Sequence, residues 1–433
     1  MSIVGAFMVP HPPLAVKEVG KGSEEKIKLT IDSYLEVAKE IGELNPDTIV
    51  ISSPHAPLYS DCFFMPEENI LEGSFMRFGA GSVSFKEKVD TDLIDEIENI
   101  SNNINFPAYK MEMKNGLDHG TMVPLYFIRK YLSKFKIVVI GLSDISLDAN
   151  YEMGTIIKKA IDNLDRRVVY VASGDLSHKL QEYGPYGFVK EGPIYDEKII
   201  DVMKDAKFEE LLKFDEDLLV KAAECGHRSF IMMSGALEGV KVKPRFYSHQ
   251  DITGVGYGIC SYYPADPYVE LATRSINSYV RDKKVLEIDD SVPNELTGRK
   301  GAVFVSIHKH GDLRGCIGTI LPTKSSIAKE IIDNAISAST RDPRFNPVTV
   351  DELNDLEINV DVLTIPENID SKDMLDPRTY GVIVTSGFKR GLLLPDLEGV
   401  DTVDEQIAIS KRKAGITDNE EISLQRFKVI RHK

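Results

Sequence analysis

The chain has no tryptophan, four cysteines and no long apolar run, and each shortage excludes something. Cys62, Cys225, Cys260 and Cys316 are widely spaced and form no C-x-x-C pair, which argues against a disulfide framework and a cysteine-only zinc site. No segment reaches the roughly 18 apolar residues of a membrane helix, and no positive region precedes the apolar run Ile3–Val9. The expectation is a soluble, cytoplasmic protein with no membrane partner. Positive charge is scarce as well, since 52 Lys and Arg face 68 Asp and Glu, for a net charge of −16. Without a basic stripe interleaved with aromatics there is no phosphate-neutralising surface, so nucleic acid is not expected as a partner. The basic end, residues 426–433, alternates with apolar residues and is predicted as a last strand.

What is present is enough for two cores: 433 residues, 42% of them hydrophobic. The predicted fold is an N-terminal α/β domain with a largely parallel central sheet, followed by a C-terminal α+β domain. In the first part, strand-like runs at Ile3–Val9, Thr48–Ser52, Lys136–Gly141 and Arg167–Ala172 alternate with helical patterns. Those patterns include one N-capped by Ser23 and others around Val123–Leu132 and Tyr151–Leu164. Prolines at Pro264 and Pro267 mark a boundary, giving domains over residues 1–262 and 266–433. Beyond it come a helix (Tyr268–Val280), a hairpin around His310-Gly311-Asp312, a helix (Ser325–Ser339) and a strand (Leu356–Leu363). A second hairpin around Gly387 and a helix (Val403–Ala414) followed by Gly415 complete the pattern.

His11, His55 and His178 each lie a few residues beyond the C-terminal end of a predicted strand. In an open parallel sheet that rim is where ligands bind, and converging imidazoles suit metal binding and proton transfer. Proline flanks the first two, in Pro10-His11-Pro12 and Pro54-His55-Ala56-Pro57, which stiffens the turns that carry them. A hydrolase elbow is not supported, because Ser173-Gly174-Asp175-Leu176-Ser177-His178 lacks the Gly-x-Ser-x-Gly spacing.

Four strings, His11-Pro12-Pro13-Leu14, Ser53-Pro54-His55-Ala56-Pro57, Leu117-Asp118-His119-Gly120 and Ser173–His178, together resemble the class III extradiol dioxygenase (LigB-like) superfamily, and within it the MEMO branch. In active members two histidines and a glutamate hold a non-haem Fe(II), with open positions for a catechol and O₂. The resemblance implies that His11 and His55 are metal ligands, that His178 is the acid/base residue and that His119 contacts bound oxygen or substrate. For the third ligand it leaves two positions open in Glu224-Cys225-Gly226-His227-Arg228. Glu224 would complete an Fe(II) site of the dioxygenase kind, whereas Cys225, the MEMO-like alternative, would favour Cu or Zn. His227 and His249 are read as structural.

In the C-terminal half, Leu313-Arg314-Gly315-Cys316-Ile317-Gly318-Thr319, Asn334-Ala335, Arg341-Asp342-Pro343-Arg344-Phe345 and residues 399–406 resemble the AMMECR family, which has no established reaction. Glycines beside Cys316 would let another backbone or a ligand approach closely. Strand alternation places Arg314 and Cys316 on one face as a candidate site, the arginine favouring the thiolate. His308 and His310 are expected to be solvated at the hairpin tip. Domains resembling MEMO and AMMECR are associated in prokaryotes with a radical-SAM protein, so the resemblance implies such a partner. Two functions follow. One is Fe(II)-dependent oxygenation of an aromatic diol or related small molecule. The alternative is a non-catalytic metal-binding or adaptor component.

Overall fold

The first domain's strand-like runs Ile3–Val9, Thr48–Ser53, Lys136–Gly141 and Val168–Ser173 are apolar almost without interruption, which suits a sheet covered on both faces. A computed structural model describes residues 3–289, 291–397 and 399–432, in two compact units, Met1–Pro264 and Ala265–Lys433. In the first unit, Lys136–Gly141, Thr48–Ser53, Val168–Ser173 and Ile3–Val9 lie side by side and parallel. Tyr257–Pro264 pairs antiparallel with Ile3–Val9, and Val242–Gln250 closes the sheet beside it. Two of the inner strands, Thr48–Ser53 and Val168–Ser173, are buried at every residue. Helices Lys28–Leu44, His119–Ile128, Leu147–Leu164 and His227–Ala236 supply the covering layers. The C-terminal ends of the parallel strands open onto one rim.

Two helix starts differ from the sequence reading. Ser23 caps nothing: it opens a 3-10 turn, and the long helix begins at Lys28 after Ile27. The Glu24 carboxylate takes the Gly22 N–H at 2.6 Å, which holds this turn apart from the helix. The helix expected around Val123 starts a turn earlier, at His119, because the Asp118 carboxylate accepts the Thr121 N–H and caps it there.

In the second unit, one antiparallel sheet runs Asp312–Gly318, Ala302–Lys309, Leu356–Leu363, Val429–His432. The other runs Glu367–Ile369, Ser423–Phe427, Gly381–Ser386, Lys389–Leu393. His310 and Gly311 both adopt positive φ at the first hairpin's tip, the geometry that matches strand twist in a two-residue turn. Helices Pro267–Asp282 and Ile327–Thr340 share the first sheet's core, and Val403–Ala414 belongs to the second's. The single last strand expected over residues 426–433 is a correction. The chain divides at Lys428, whose amide bonds the Thr364 hydroxyl, and contributes Ser423–Phe427 to one sheet and Val429–His432 to the other. Lys433 lies outside the described residues.

Candidate metal centre

His11 sits two residues past the strand Ile3–Val9, fully buried, and its surroundings fix more than its position. Its backbone N–H donates to Asp175 Oδ1 at 2.8 Å. Its ring Nδ1 lies 3.0 Å from Ser173 Oγ, which itself donates to the Gly120 carbonyl at 2.6 Å. The hydroxyl has one proton and it is used on Gly120, so Ser173 accepts from His11. The proton is therefore on Nδ1 and the lone pair of Nε2 is free. That is how a ligating histidine is held by a supporting residue.

His55 follows the neighbouring strand Thr48–Ser53. Its backbone N–H donates to Ser53 Oγ, and Ser53 in turn donates to Asp118 Oδ1 at 2.6 Å. Its Nε2 stands 3.0 Å from His11 Nε2. Cys225 comes from the loop before the helix His227–Ala236, with Sγ 3.5 Å from His11 Nε2. Among the described residues, the His11 and His55 nitrogens and the Cys225 sulfur form a donor group within 4.8 Å of one another. Cys225 reaches the rim because two glycines let the loops touch. A Cβ on Gly174 would fall 2.1 Å from Gly226 Cα, and the Gly226 N–H donates to the Asp175 carbonyl at 3.1 Å.

Glu224 is engaged elsewhere. Its carboxylate accepts the His227 N–H at 2.6 Å at the start of the helix, and burial pushes its carboxyl up to about 7. The two candidates left open by the sequence therefore separate: the sulfur joins the imidazoles, while the carboxylate caps a helix. His119, first residue of its helix, stacks on His55 with ring centroids 4.0 Å apart, and burial with the His55 charge lowers its pKa to about 4. His178 packs edge-on against Tyr186, is lowered by burial, and keeps an Nδ1 with no partner among the described residues. Burial first, then His55, His119 and His178, hold His11 well below the ordinary imidazole value. Burial likewise pushes the Cys225 thiol up and Asp175 to about 7. His227 and His249 are structural: His227 bonds the Leu211 carbonyl at 3.0 Å and His249 pairs with Asp196 at 2.7 Å.

Sequence reasoning missed three supporting groups, Ser173, Asp175 and Asp118, although all lie inside the motifs already singled out. It also gave no pocket. A cavity of about 1270 Å³ opens on His55 and His119, walled by Met76, Arg77 and Phe78. Those residues connect a hairpin, Ile70–Phe75 with Ala80–Lys88, whose alternation around Gly79 was the available signal.

Strands feeding one rim, with His11, His55 and Cys225 gathered there, define an α/β domain with a donor group of the kind that can hold a metal ion. Comparison with known families agrees. Residues 5–260 match the catalytic LigB subunit of aromatic ring-opening dioxygenase, and the chain belongs to this family. Residues 269–432 match AMMECR1, so the chain is a fusion of the two domains. A protein of Clostridium acetobutylicum is 41% identical over 470 aligned positions, covering 100% of both chains. A Thermotoga maritima protein is 56% identical over 169 residues, 39% of this chain and 97% of its own length. Among solved structures, an uncharacterised Pyrococcus horikoshii protein matches 38% of this chain and 88% of its own at 31% identity and TM-score 0.36. One from Escherichia coli K12 matches 60% and 99% at 13% identity and TM-score 0.43.

In the second unit the structure separates Arg314 from Cys316. Gly315 pairs with Ile307 and Leu313 with His308, so Arg314 is the extra residue of a bulge and alternation fails there. Arg314 lies against Glu352, at 3.0 and 3.1 Å, while Cys316 accepts a hydrogen bond from Ser306 Oγ at 3.2 Å. The arginine near Cys316 is Arg344, which donates to its carbonyl at 3.1 Å and pairs with Asp342 at 2.7 Å. The expected close approach does occur, since a Cβ on Gly315 would fall 2.3 Å from the Ala338 carbonyl oxygen. His310 is exposed, as expected at the tip, but His308 is half-buried and lines a cavity.

Proposed function

We propose that the N-terminal unit binds one transition metal through His11 Nε2, His55 Nε2 and Cys225 Sγ, and that a small molecule reaches it through the cleft beside His55 and His119. The convergence of the three donors within 4.8 Å carries this reading. Donors about 2.0–2.3 Å from a tetrahedral metal stand roughly 3.5 Å apart; two of the three separations here are 3.0 and 3.5 Å, and the third, His55 to Cys225, is within 4.8 Å. Two imidazoles and a thiolate are a soft set, which ranks Cu(I) and Zn(II) ahead of Fe(II). When bound, such a metal supplies Lewis-acid or one-electron chemistry to a molecule in the cleft.

The chain's own residues do the rest. Ser173 keeps the His11 lone pair turned to the donor group, and Asp175 holds the His11 backbone. Neutral His119 offers the substrate a hydrogen bond. His178, held neutral by burial, takes a proton from a hydroxyl of the substrate and later returns it. The four free cysteines suit the reducing cytoplasm, where we place the protein.

Fe(II)-dependent oxygenation of an aromatic diol is the second reading, favoured by the family and by the imidazole-lined cleft. A third reading uses the same donor set without turnover, as a non-catalytic metal-binding or adaptor component working with a radical-SAM partner. Metal analysis of the anaerobically purified full chain, with O₂ uptake on a panel of diols, separates them. Roughly one Cu or Zn per chain should be lost in His11→Ala, His55→Ala and Cys225→Ala and kept in Glu224→Gln. Iron that is lost in Glu224→Gln, kept in Cys225→Ala and accompanied by diol-dependent O₂ uptake would install the second reading instead. A wild-type chain that binds none of Cu(I), Zn(II) or Fe(II) would end the metal proposal.

A further inference from the structure

The second unit contains a cavity of about 780 Å³ between its two sheets, and its lining runs against the charge of the chain. The protein carries a net −16, yet Arg344, Arg390, Lys413 and Arg431 border this cavity against a single carboxylate among the described residues, Asp361. Two of the four cations are committed: Arg431 to Asp361 at 2.9 and 3.1 Å, and Arg344 to Asp342 at 2.7 Å. The other two are not. Among the described residues Arg390 bonds only the neutral Gln425 amide oxygen, at 2.8 Å, and its Nε is buried with no partner there. Lys413, on the helix Val403–Ala414, has no carboxylate at ion-pair distance among the described residues. A buried, unpaired guanidinium nitrogen is costly unless something anionic or polar meets it.

The remaining lining gives the ligand a shape. Phe304, Ile320, Leu392 and Leu394 form an apolar wall, and Cys316 lies in the same cavity with Ser306 Oγ donating to its sulfur at 3.2 Å. Ser306 and Cys316 face each other across adjacent strands, so the thiol is held by the sheet and not by a loop. The volume falls within the range of small-molecule sites, which combine an apolar lining with a few converging polar groups.

We propose that this cavity binds a small molecule with an anionic head, carboxylate or phosphate, on an apolar body. Arg390 and Lys413 take the head, and the Cys316 thiol lies beside the bound molecule. Nothing in this proposal depends on the metal centre of the first unit.

Charge-selective alkylation of the full chain tests it, with each cysteine followed by peptide mass spectrometry. Iodoacetate carries a carboxylate and iodoacetamide does not. In both, the sulfur bonds to the CH₂ carbon, iodide leaves and the thiol proton goes to solvent. The ratio of iodoacetate to iodoacetamide rates at Cys316 should exceed the ratio for free glutathione by about tenfold, as expected for two partly screened cations. Inorganic phosphate should slow the iodoacetate reaction saturably. In Arg390→Gln and Lys413→Gln the ratio should fall towards that of glutathione while the iodoacetamide rate holds, and hydrogen exchange in residues 302–318 and 381–393 reports that the second unit of each variant is folded. Better protection by benzoate than by phosphate assigns a carboxylate ligand, and the reverse assigns a phosphate. A wild-type ratio no higher than that of glutathione, an elevated ratio that survives both substitutions, or no protection by either anion overturns the proposal.

Discussion

The two units treat ionisable groups in opposite ways. At the rim of the first, burial drives groups towards their neutral forms: His11, His55, His119 and His178 are lowered, while Asp175 and Glu224 are each raised to about 7. In the second, pairing keeps carboxyls ionised. Arg314 holds Glu352 down to about 2, and Arg344 holds Asp342 well below the carboxylate range. The first leaves a cluster of nitrogen and sulfur donors held towards their neutral forms, which the metal proposal uses. The second leaves two cavity-lining cations with no carboxylate partner among the described residues, which the anion proposal uses. The lesson is that the count of charged residues says less about a site than what burial and pairing leave uncompensated.

The largest expected effect comes from breaking the contact that brings the sulfur to the imidazoles. Alanine at 174 would put a methyl group 2.1 Å from Gly226 Cα, where only backbone could yield. Overpacking of this kind costs about 1–3 kcal/mol, and more where backbone must move. Gly174→Ala should lose metal binding altogether and lower the unfolding temperature of the first unit. The comparison then predicts an unchanged iodoacetate-to-iodoacetamide ratio at Cys316. Retained stoichiometric metal would show that the two loops need not touch for the donors to converge.

A smaller effect should follow from Ser173→Ala, which leaves every donor in place but frees the His11 tautomer. Loss of a supporting hydrogen bond to a ligating histidine weakens metal affinity by about 10–100-fold. Competition with a chelator of known affinity would measure it. Unchanged affinity would mean that the Ser173–Gly120 hydrogen bond does not set the tautomer, and the rim's cation preference would need another cause.

Much of this was legible in the sequence, and the failures have physical causes. The strands Ile3–Val9, Lys136–Gly141 and Leu356–Leu363 and the helix Val403–Ala414 have the bounds their periodicity gives. The rim positions of His11, His55 and His178 followed from the strand ends alone. Which of Glu224 and Cys225 stands beside the imidazoles did not, because neighbours in a loop differ by which way the chain turns, and the Gly174–Gly226 contact that bears on it joins residues some 50 apart in sequence. The hairpin walling the first cavity was missed because it carries exposed residues on both strands, and its outer surface resembles a loop. At Arg314 the period of two was right up to one extra residue, and a bulge is invisible to an argument that counts by twos.

Arg314 also gives the smallest and most discriminating expectation. It donates to Glu352 through Nε and Nη2 and to the Asn346 and Pro347 carbonyls, while Lys309 meets the same carboxylate at 3.2 Å. With Glu352 at about 2 in the folded chain against an ordinary 4.5, the stability it contributes is full above 4.5 and is lost as pH falls from there to about 2. Arg314→Met removes the first cause of that shift, leaving the Thr349 amide and Lys309. The loss at neutral pH should be about 1 kcal/mol, as for a half-buried pair still screened by solvent, and stability should fall less steeply between pH 4.5 and 2 than in the wild type. Acid unfolding of the full chain, with hydrogen exchange in residues 302–318 and 356–363 to assign the unit that opens, would show it. The alkylation ratio at Cys316 should not change, because Arg314 does not border that cavity. A ratio that fell with this substitution would return Arg314 to the neighbourhood of the thiol and make its pairing with Glu352 part of the anion site.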